Sequence, residues 1–142
     1  MRILLIAFVV VNLTSCSGIR SLRFTTYDTV YLLSLPKGFE LKKLKDDEGY
    51  SEYQAAYTDG PIVYITDDNK SGGSIDVPKR SKYGDDVYIR VLANDTLILS
   101  GVDTNGYFWK EVKNRNVVIG YVNVPSNKKE EFDKALDSLR IR

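Results

Sequence analysis

The chain has 142 residues, with 20 basic and 19 acidic side chains and a formal net charge of +1. It contains no histidine and a single cysteine, which excludes an imidazole base, a zinc site built from Cys and His, and a disulfide within the chain. The balanced charge argues against nucleic acid as a partner, because proteins that bind it usually carry a basic face. No cofactor and no catalytic residue are predicted, and the composition favours a protein that is not an enzyme.

The N-terminus has the organisation of a secretory signal peptide. Arg2 precedes an apolar run over residues 3–11, and small and polar residues then lead to Cys16. The run is too short to span a membrane as a helix, which takes about 20 residues. The four residues Leu13-Thr14-Ser15-Cys16 resemble the lipobox of bacterial lipoproteins.

This resemblance implies that residues 1–15 are a lipoprotein signal peptide and that Cys16 is the site of lipidation. In such proteins the thiol receives a diacylglycerol and the new amino group is usually acylated, and two or more acyl chains hold a protein stably at a bilayer. The expected location is the cell envelope. Ser17, where Asp would favour the inner membrane, favours the outer membrane, with the periplasmic and the outward-facing orientation both open.

Residues 16–27 are predicted to form a short tether, and residues 28–142 one domain that lies close to the bilayer. Runs of β-forming residues separated by turn signals predict its strands. The Asp59-Gly60 pair favours a hairpin with a type I′ turn, whereas residues 67–86 predict a long surface loop. The short links predict antiparallel neighbours. The predicted strands cover residues 29–35, 39–45, 50–58, 62–66, 87–93, 96–101, 106–112 and 116–124.

The C-terminal residues predict an amphipathic helix over 127–139. Asn127 is the expected N-cap, with Glu130 as its reciprocal partner. An apolar stripe recurs at helical spacing and consists of Phe132, Ala135, Leu136 and Leu139. The predicted fold class is therefore α+β: a meander-like antiparallel sheet of about seven or eight strands with one C-terminal helix on one face.

Two further resemblances concern the folded part. The order of strands followed by a late helix resembles the pattern of PsbP-like domains over the C-terminal part of the chain, without a shared motif. The phrases LPKGFELKK and YFWKEVK are similar to those of small lipoproteins of Bacteroidota. Neither resemblance implies an activity.

Aromatic residues in the predicted strands are the first candidate for a binding site. Alternation places Tyr107 and Trp109 on one face of a strand, and Tyr53 and Tyr57 share a face of another. If the four lie together in the open, they could stack on sugar rings or hold an apolar partner. The favoured interpretation is that they are core residues, because half-buried sheets favour aromatic side chains.

The predicted loop contains a second candidate. Asp67, Asn69 and Ser71 occupy the first, third and fifth positions of a pattern that resembles the start of a calcium loop, and Asp76 could add an oxygen. Position twelve is Pro78 where a calcium loop has Glu, so a polar loop without a metal is the favoured interpretation.

These observations predict a lipid-anchored envelope protein that binds or scaffolds a partner without catalysis. Its partners would be the membrane, through the lipid on Cys16, and an unidentified envelope protein or glycan. The alternative is a module that binds a glycan or small ligand with the Tyr/Trp face, with or without calcium.

Overall fold

A computed structural model of the chain describes residues 18–26, 29–45, 48–68, 72–77, 96–113 and 116–142. Within these ranges the chain forms nine strands in two antiparallel sheets and one C-terminal helix, which confirms the α+β class. The strands are β1 (Ile19–Thr26), β2 (Thr29–Pro36), β3 (Phe39–Lys45), β4 (Ser51–Tyr57), β5 (Ile62–Thr66), β6 (Leu97–Val102), β7 (Phe108–Lys113), β8 (Val118–Val124) and β9 (Arg140–Ile141). Helix α1 (Lys129–Asp137) follows a 3₁₀ turn (Ser126–Lys128).

The strands form two sheets where one was predicted. The smaller sheet has the order β1-β2-β9, and the larger has the order β3-β4-β5-β8-β7-β6. The chain changes sheet at Lys37-Gly38, where Gly38 has a φ of 97° that favours glycine. Strands β2 and β3 are therefore neighbours in sequence that belong to different layers. The predicted strand at 87–93 lies outside the described residues.

The prediction that residues 16–27 form a tether is wrong for the part that forms strand β1. Residues 19–26 were expected to be a tether, but they pair with β2 along the whole length of both strands. Leu22, Phe24 and Thr26 are buried on alternate positions, so this strand supplies core residues. The Lys37 N–H also donates a 2.8 Å hydrogen bond to the carbonyl oxygen of Gly18. The described fold therefore begins two residues after Cys16.

The main core lies between the two layers. The smaller sheet and α1 pack together against one face of the larger sheet, called the inner face here, and all three contribute to one apolar cluster. The ring of Tyr57 lies between Phe39, 5.7 Å away, and Phe132 of α1, 5.2 Å away. Edge-to-face pairs of this kind stabilise a core beyond the area they bury.

Helix α1 is shorter than the predicted 127–139. Asn127 lies in the 3₁₀ turn, and Lys128 occupies the N-cap position without a capping hydrogen bond from its side chain. Phe132, Ala135 and Leu136 are buried as the apolar stripe predicted. Leu139 lies beyond the end of the helix and packs partly against the core.

The hairpin predicted at Asp59-Gly60 joins β4 and β5, but its turn is not type I′. Gly60 has a φ of 113°, whereas Asp59 does not have a positive φ. The Gly60 N–H donates to the carbonyl of Tyr57 at 3.1 Å, and the Tyr57 N–H donates to the carbonyl of Pro61 at 2.9 Å. This is a three-residue loop in which a tight turn is closed by a left-handed glycine.

Strand β1 of the smaller sheet runs in the same direction as β3 of the larger sheet, so the domain has two ends that can be defined. The Arg20 guanidinium lies 5.1 Å from the Phe39 ring, and farther along the strands the rings of Phe24 and Tyr53 are 5.0 Å apart. We call the end with Gly18, Ile19, Pro36, Lys37 and the 58–60 turn the proximal end. The distal end contains Thr26, Thr29, Lys45, Ser51 and Ile141.

Candidate functional site

The outer face of the larger sheet, opposite α1, contains a second apolar cluster together with buried polar side chains. Glu52, Thr66, Glu111 and Lys113 are all buried there. Charged side chains are rarely buried without partners. This face therefore differs from an ordinary apolar core.

Tyr64 and Glu111 form a long-range contact across this face. Tyr64 on β5 lies directly opposite Gly120 on β8, and Gly120 lies opposite Glu111 on β7. Because Gly120 has no side chain, the Tyr64 ring passes over it, and its hydroxyl donates a 2.6 Å hydrogen bond to Glu111 Oε2. The contact ties together strands that are two positions apart in the sheet.

Glu52 holds residues 72–77 against the sheet. Its Oε2 accepts a 2.7 Å hydrogen bond from the Ser74 N–H, and its Oε1 accepts one of 2.9 Å from the Ser74 hydroxyl. The amide of Gln54 donates to both Glu52 and Ser74. Glu52 is 5% exposed, and donors to a buried carboxylate are among the stronger hydrogen bonds in proteins.

A cleft of about 380 Å³ opens beside Glu52. It lies at the distal end, where β3, β4 and β5 meet residues 72–77. Its walls combine two buried carboxylates, Glu52 and Asp68, with hydroxyl groups and the exposed Lys45. The cleft is lined by Leu44, Lys45, Tyr50, Glu52, Thr66, Asp68, Gly73 and Ser74. A concave site with convergent polar groups can bind a small polar ligand.

Trp109 is a core residue of the outer face. It is 2% exposed and packs in a cluster with Tyr64, Val118 and Val77. Its indole lies over Gly101, the residue opposite it on β6, where an added Cβ would come within 3.0 Å of the ring. The segment 72–77 covers this cluster through Val77 and Ile75.

The four aromatic candidates therefore do not form a common surface. Tyr53 and Tyr57 pack against the inner core, whereas Trp109 is buried on the outer face. Tyr107 is 42% exposed. Phe108 and Val112 pack against the inner core, on the face opposite Trp109, as alternation predicts. Packing of Tyr53, Tyr57 and Trp109 agrees with the favoured interpretation as core residues, so the four side chains do not form an open Tyr/Trp platform.

The predicted calcium ligands are only partly described. Asp67 Oδ1 accepts a 2.7 Å hydrogen bond from the Ser51 N–H, and Asp76 is exposed. Asn69 and Ser71 lie outside the described residues, as does Cys16. In the described ranges no three or more acidic or cysteine side chains are grouped so that they could hold a metal ion. The favoured interpretation, a polar loop without a metal, stays a prediction.

A second polar cluster attaches α1 to the sheet. Asp133 accepts hydrogen bonds from the Tyr121 hydroxyl at 2.9 Å and from Lys110 Nζ at 3.3 Å, and it also pairs with Lys129. Burial alone would raise the pKa of Asp133, but the hydrogen bonds from these three side chains outweigh it and hold the pKa below its usual value. Burial, reinforced by the Asp133 carboxylate, raises the pKa of Tyr121.

Alternation in the sequence did not indicate that Glu52, Asp68, Glu111 and Lys113 are buried. Alternation placed polar residues on the outer face, and such a face is normally solvated. One signal did point the other way: the run IVYIT (62–66) has no polar alternation, which is typical of a strand covered on both faces. Burial of Val63, Tyr64 and Ile65 agrees with it.

Comparison of the chain with protein-family models, with curated proteins and with solved structures gave no match. In the described part of the chain, no helix has both the length and the apolar character needed to cross a bilayer.

Proposed function

We propose that this chain is a lipid-anchored protein of the cell envelope, favouring the outer membrane, that binds or scaffolds a partner without catalysing a reaction. The lipobox at Leu13–Cys16 is the observation that carries this proposal. Every described strand and helix lies after residue 18, so cleavage before Cys16 would remove none of them.

The buried carboxylates of the outer face support a binding role over catalysis. Glu111 accepts a hydrogen bond from Tyr64, and Glu52 accepts several from residues on β4 and on the 72–77 segment. Both carboxylates therefore hold parts of the fold together. A general acid or base would need a carboxylate that can exchange a proton with a substrate, whereas both oxygens of Glu52 already accept hydrogen bonds from Ser74.

The lipid anchor is tested by expressing the full chain in a bacterial host that processes lipoproteins. We expect the purified protein to begin at Cys16 with the mass of a diacylglycerol and acyl chain added, and to enter the detergent phase. Cys16→Ser should abolish the added mass and leave the protein in the aqueous phase, while Ser17→Ala serves as the matched control and behaves like the native chain. A mature protein that begins at Met1 and has a free thiol contradicts the proposal.

A second candidate function is small-ligand binding in the distal cleft, favoured by its volume and by the two buried carboxylates in its walls. A glycan or another neutral polar molecule could bind there through its hydroxyl groups. We expect such a ligand to shift the amide resonance of Ser74, and Glu52→Gln to weaken binding while the exposed Glu40→Gln does not. If a panel of sugars and polar metabolites leaves the Ser74 resonance unchanged, this candidate is wrong.

A further inference from the structure

We propose that the proximal end of the domain, formed by Ile19, Pro36, Lys37 and the 58–60 turn, rests directly on the lipid bilayer surface. The inference depends on the proposed lipidation of Cys16. It adds a defined orientation, since a lipid anchor alone would allow the domain to turn freely.

The connection between Cys16 and the folded domain is short. Gly18 lies two positions after Cys16. A fully extended chain covers at most ~3.6 Å per residue, so the Cα atoms of these residues are within about 7 Å of each other. Gly18 is itself held to the domain by the 2.8 Å hydrogen bond from Lys37. The lipidated residue therefore has no room to move away from the proximal end.

Two exposed basic side chains lie at the proximal end. Lys37 is exposed, and its side chain lies over Gly18, so that a Cβ added at Gly18 would be 2.7 Å from Lys37 Nζ. The ammonium group thus lies beside the point where the chain leaves for Cys16. Arg20, which lies over the Phe39 ring, is a second exposed cation near the same end. Basic groups at a membrane surface attract anionic headgroups.

The apolar part of this end also fits a lipid surface. Ile19 is 68% exposed although it lies in a strand. A shallow groove of about 230 Å³ beside it is lined in part by Pro36 and Ala135. At the same end, Lys128 is paired with Asp59, so its charge is locally balanced. The groove lining also includes one acidic and one basic side chain, Glu131 and Lys134. An exposed aliphatic side chain next to cations is suited to the boundary between headgroups and acyl chains.

This orientation determines where the cleft would lie. Strand β3 runs from the proximal end at Phe39 to the distal end at Lys45, and Lys45 lines the cleft. Seven residues in a strand cover about 20 Å at ~3.4 Å per residue. The cleft would therefore open away from the membrane, at roughly that height above it.

The chain offers a clean way to test the orientation, because Cys16 is its only cysteine and lipidation blocks that thiol. A cysteine introduced elsewhere can then be labelled alone. We would purify the lipidated protein carrying Lys37→Cys, Thr58→Cys or Arg142→Cys and attach a fluorophore. Each protein is placed in vesicles of phosphatidylethanolamine and phosphatidylglycerol that contain a quencher at headgroup depth. We expect severalfold stronger quenching at positions 37 and 58 than at position 142.

The label at position 58 distinguishes a domain that is held in one orientation from a domain that rotates freely about its lipid anchor. It is 42 positions from Cys16 in sequence and lies in the turn between β4 and β5 of the larger sheet, so a short connection alone would not bring it to the bilayer. If membrane-bound protein shows quenching at position 37 but equal signals at positions 58 and 142, the orientation is wrong while the lipid anchor stands. If the native chain does not enter vesicles at all, the proposed function fails first.

A charge-reversal pair tests the contribution of Lys37. We expect Lys37→Glu to reduce quenching at position 58 at least twofold in anionic vesicles, whereas Lys45→Glu, the same change at the distal end, leaves it unchanged. Equal effects of the two variants would overturn the role assigned to Lys37.

Discussion

The hydroxyl of Tyr64 donates a 2.6 Å hydrogen bond to the buried carboxylate of Glu111, across the intervening Gly120. The contact joins β5 to β7, which are separated by β8 in the sheet. It is the kind of buried polar contact that determines the register of a sheet, because a shift of any of the three strands would leave a carboxylate without one of its donors.

Tyr64→Phe should destabilise the fold because it removes a donor to a buried carboxylate. We expect a loss of about 1–3 kcal/mol in the free energy of unfolding, measured by urea denaturation and circular dichroism. Tyr107→Phe, at an exposed position, is the matched control and should change stability by less than about 0.5 kcal/mol. Equal stability of the two variants would show that the Tyr64 hydroxyl contributes little.

Gly120→Ala should be unfavourable for a steric reason. Its Cβ would lie 2.5 Å from Tyr64 Cζ and 2.7 Å from the carbonyl oxygen of Lys110, and overpacking of this kind costs about 1–3 kcal/mol. In a double-mutant cycle with Tyr64→Ala, part of this cost should disappear because the ring is gone. Strictly additive effects would mean that the ring does not occupy the space above Gly120.

Glu52→Ala should release residues 72–77 from the sheet, because it removes the acceptor of both hydrogen bonds from Ser74. Hydrogen exchange followed by NMR should show faster exchange of the Ser74 amide, together with a loss of roughly 1–3 kcal/mol in stability. Glu40→Ala removes an exposed carboxylate from β3 and should leave that amide protected. An unchanged exchange rate in Glu52→Ala would show that other contacts hold the segment.

The attachment of α1 should weaken in acid. The pKa of Asp133 lies below its usual value in the folded protein, so in acid the unfolded state binds the proton more readily. The stabilisation from Asp133 is therefore complete above about pH 4, near the unfolded pKa, and is lost as the pH falls through the folded pKa.

Asp133→Asn should flatten this part of the pH–stability profile, measured by thermal unfolding between neutral and acidic pH. Asp137→Asn, an exposed carboxylate on the same helix, should preserve most of the native slope. If the two profiles coincide, the acid sensitivity of the protein arises elsewhere.

Trp109 is the only tryptophan and thus reports on the outer face. Because it is buried, its emission should be blue-shifted in the native protein and move to the red on unfolding. Val77→Ala, which removes part of its cover, should increase quenching by acrylamide, whereas Val102→Ala at an exposed position should not. Ready quenching in the native chain would restore the open Tyr/Trp face as a candidate binding surface.

Local patterns in the sequence predicted many of the elements correctly. The bounds of β3 and β5 were predicted to the residue, and the stripe of α1 is buried as expected. Strand β1 was missed because SGIRSLRFTTY was interpreted as a connection to the anchor. Its alternating Leu22 and Phe24 did contain the strand signal, but an eight-residue strand next to a lipobox leaves almost no tether.

The sequence did not reveal which distant segments pack over each face of the larger sheet. Alternation correctly separated Trp109 from Phe108, yet it gave no information about which segment covers each face. The burial of Trp109 depends on Val77, and that of Glu52 depends on Ser74, more than 20 positions away in each case. Likewise, turn signals locate the ends of β2 and β3 without showing that these strands belong to different sheets.

Strand β3 forms one border of the larger sheet, and Lys42, Lys43 and Lys45 project from it into solvent. Unpaired strand borders are templates for aggregation, and lysines placed along them discourage another chain from docking there. Confinement to a two-dimensional surface would bring many copies close together. Like charges on neighbouring β3 strands would then repel each other and help to keep the crowded molecules separate.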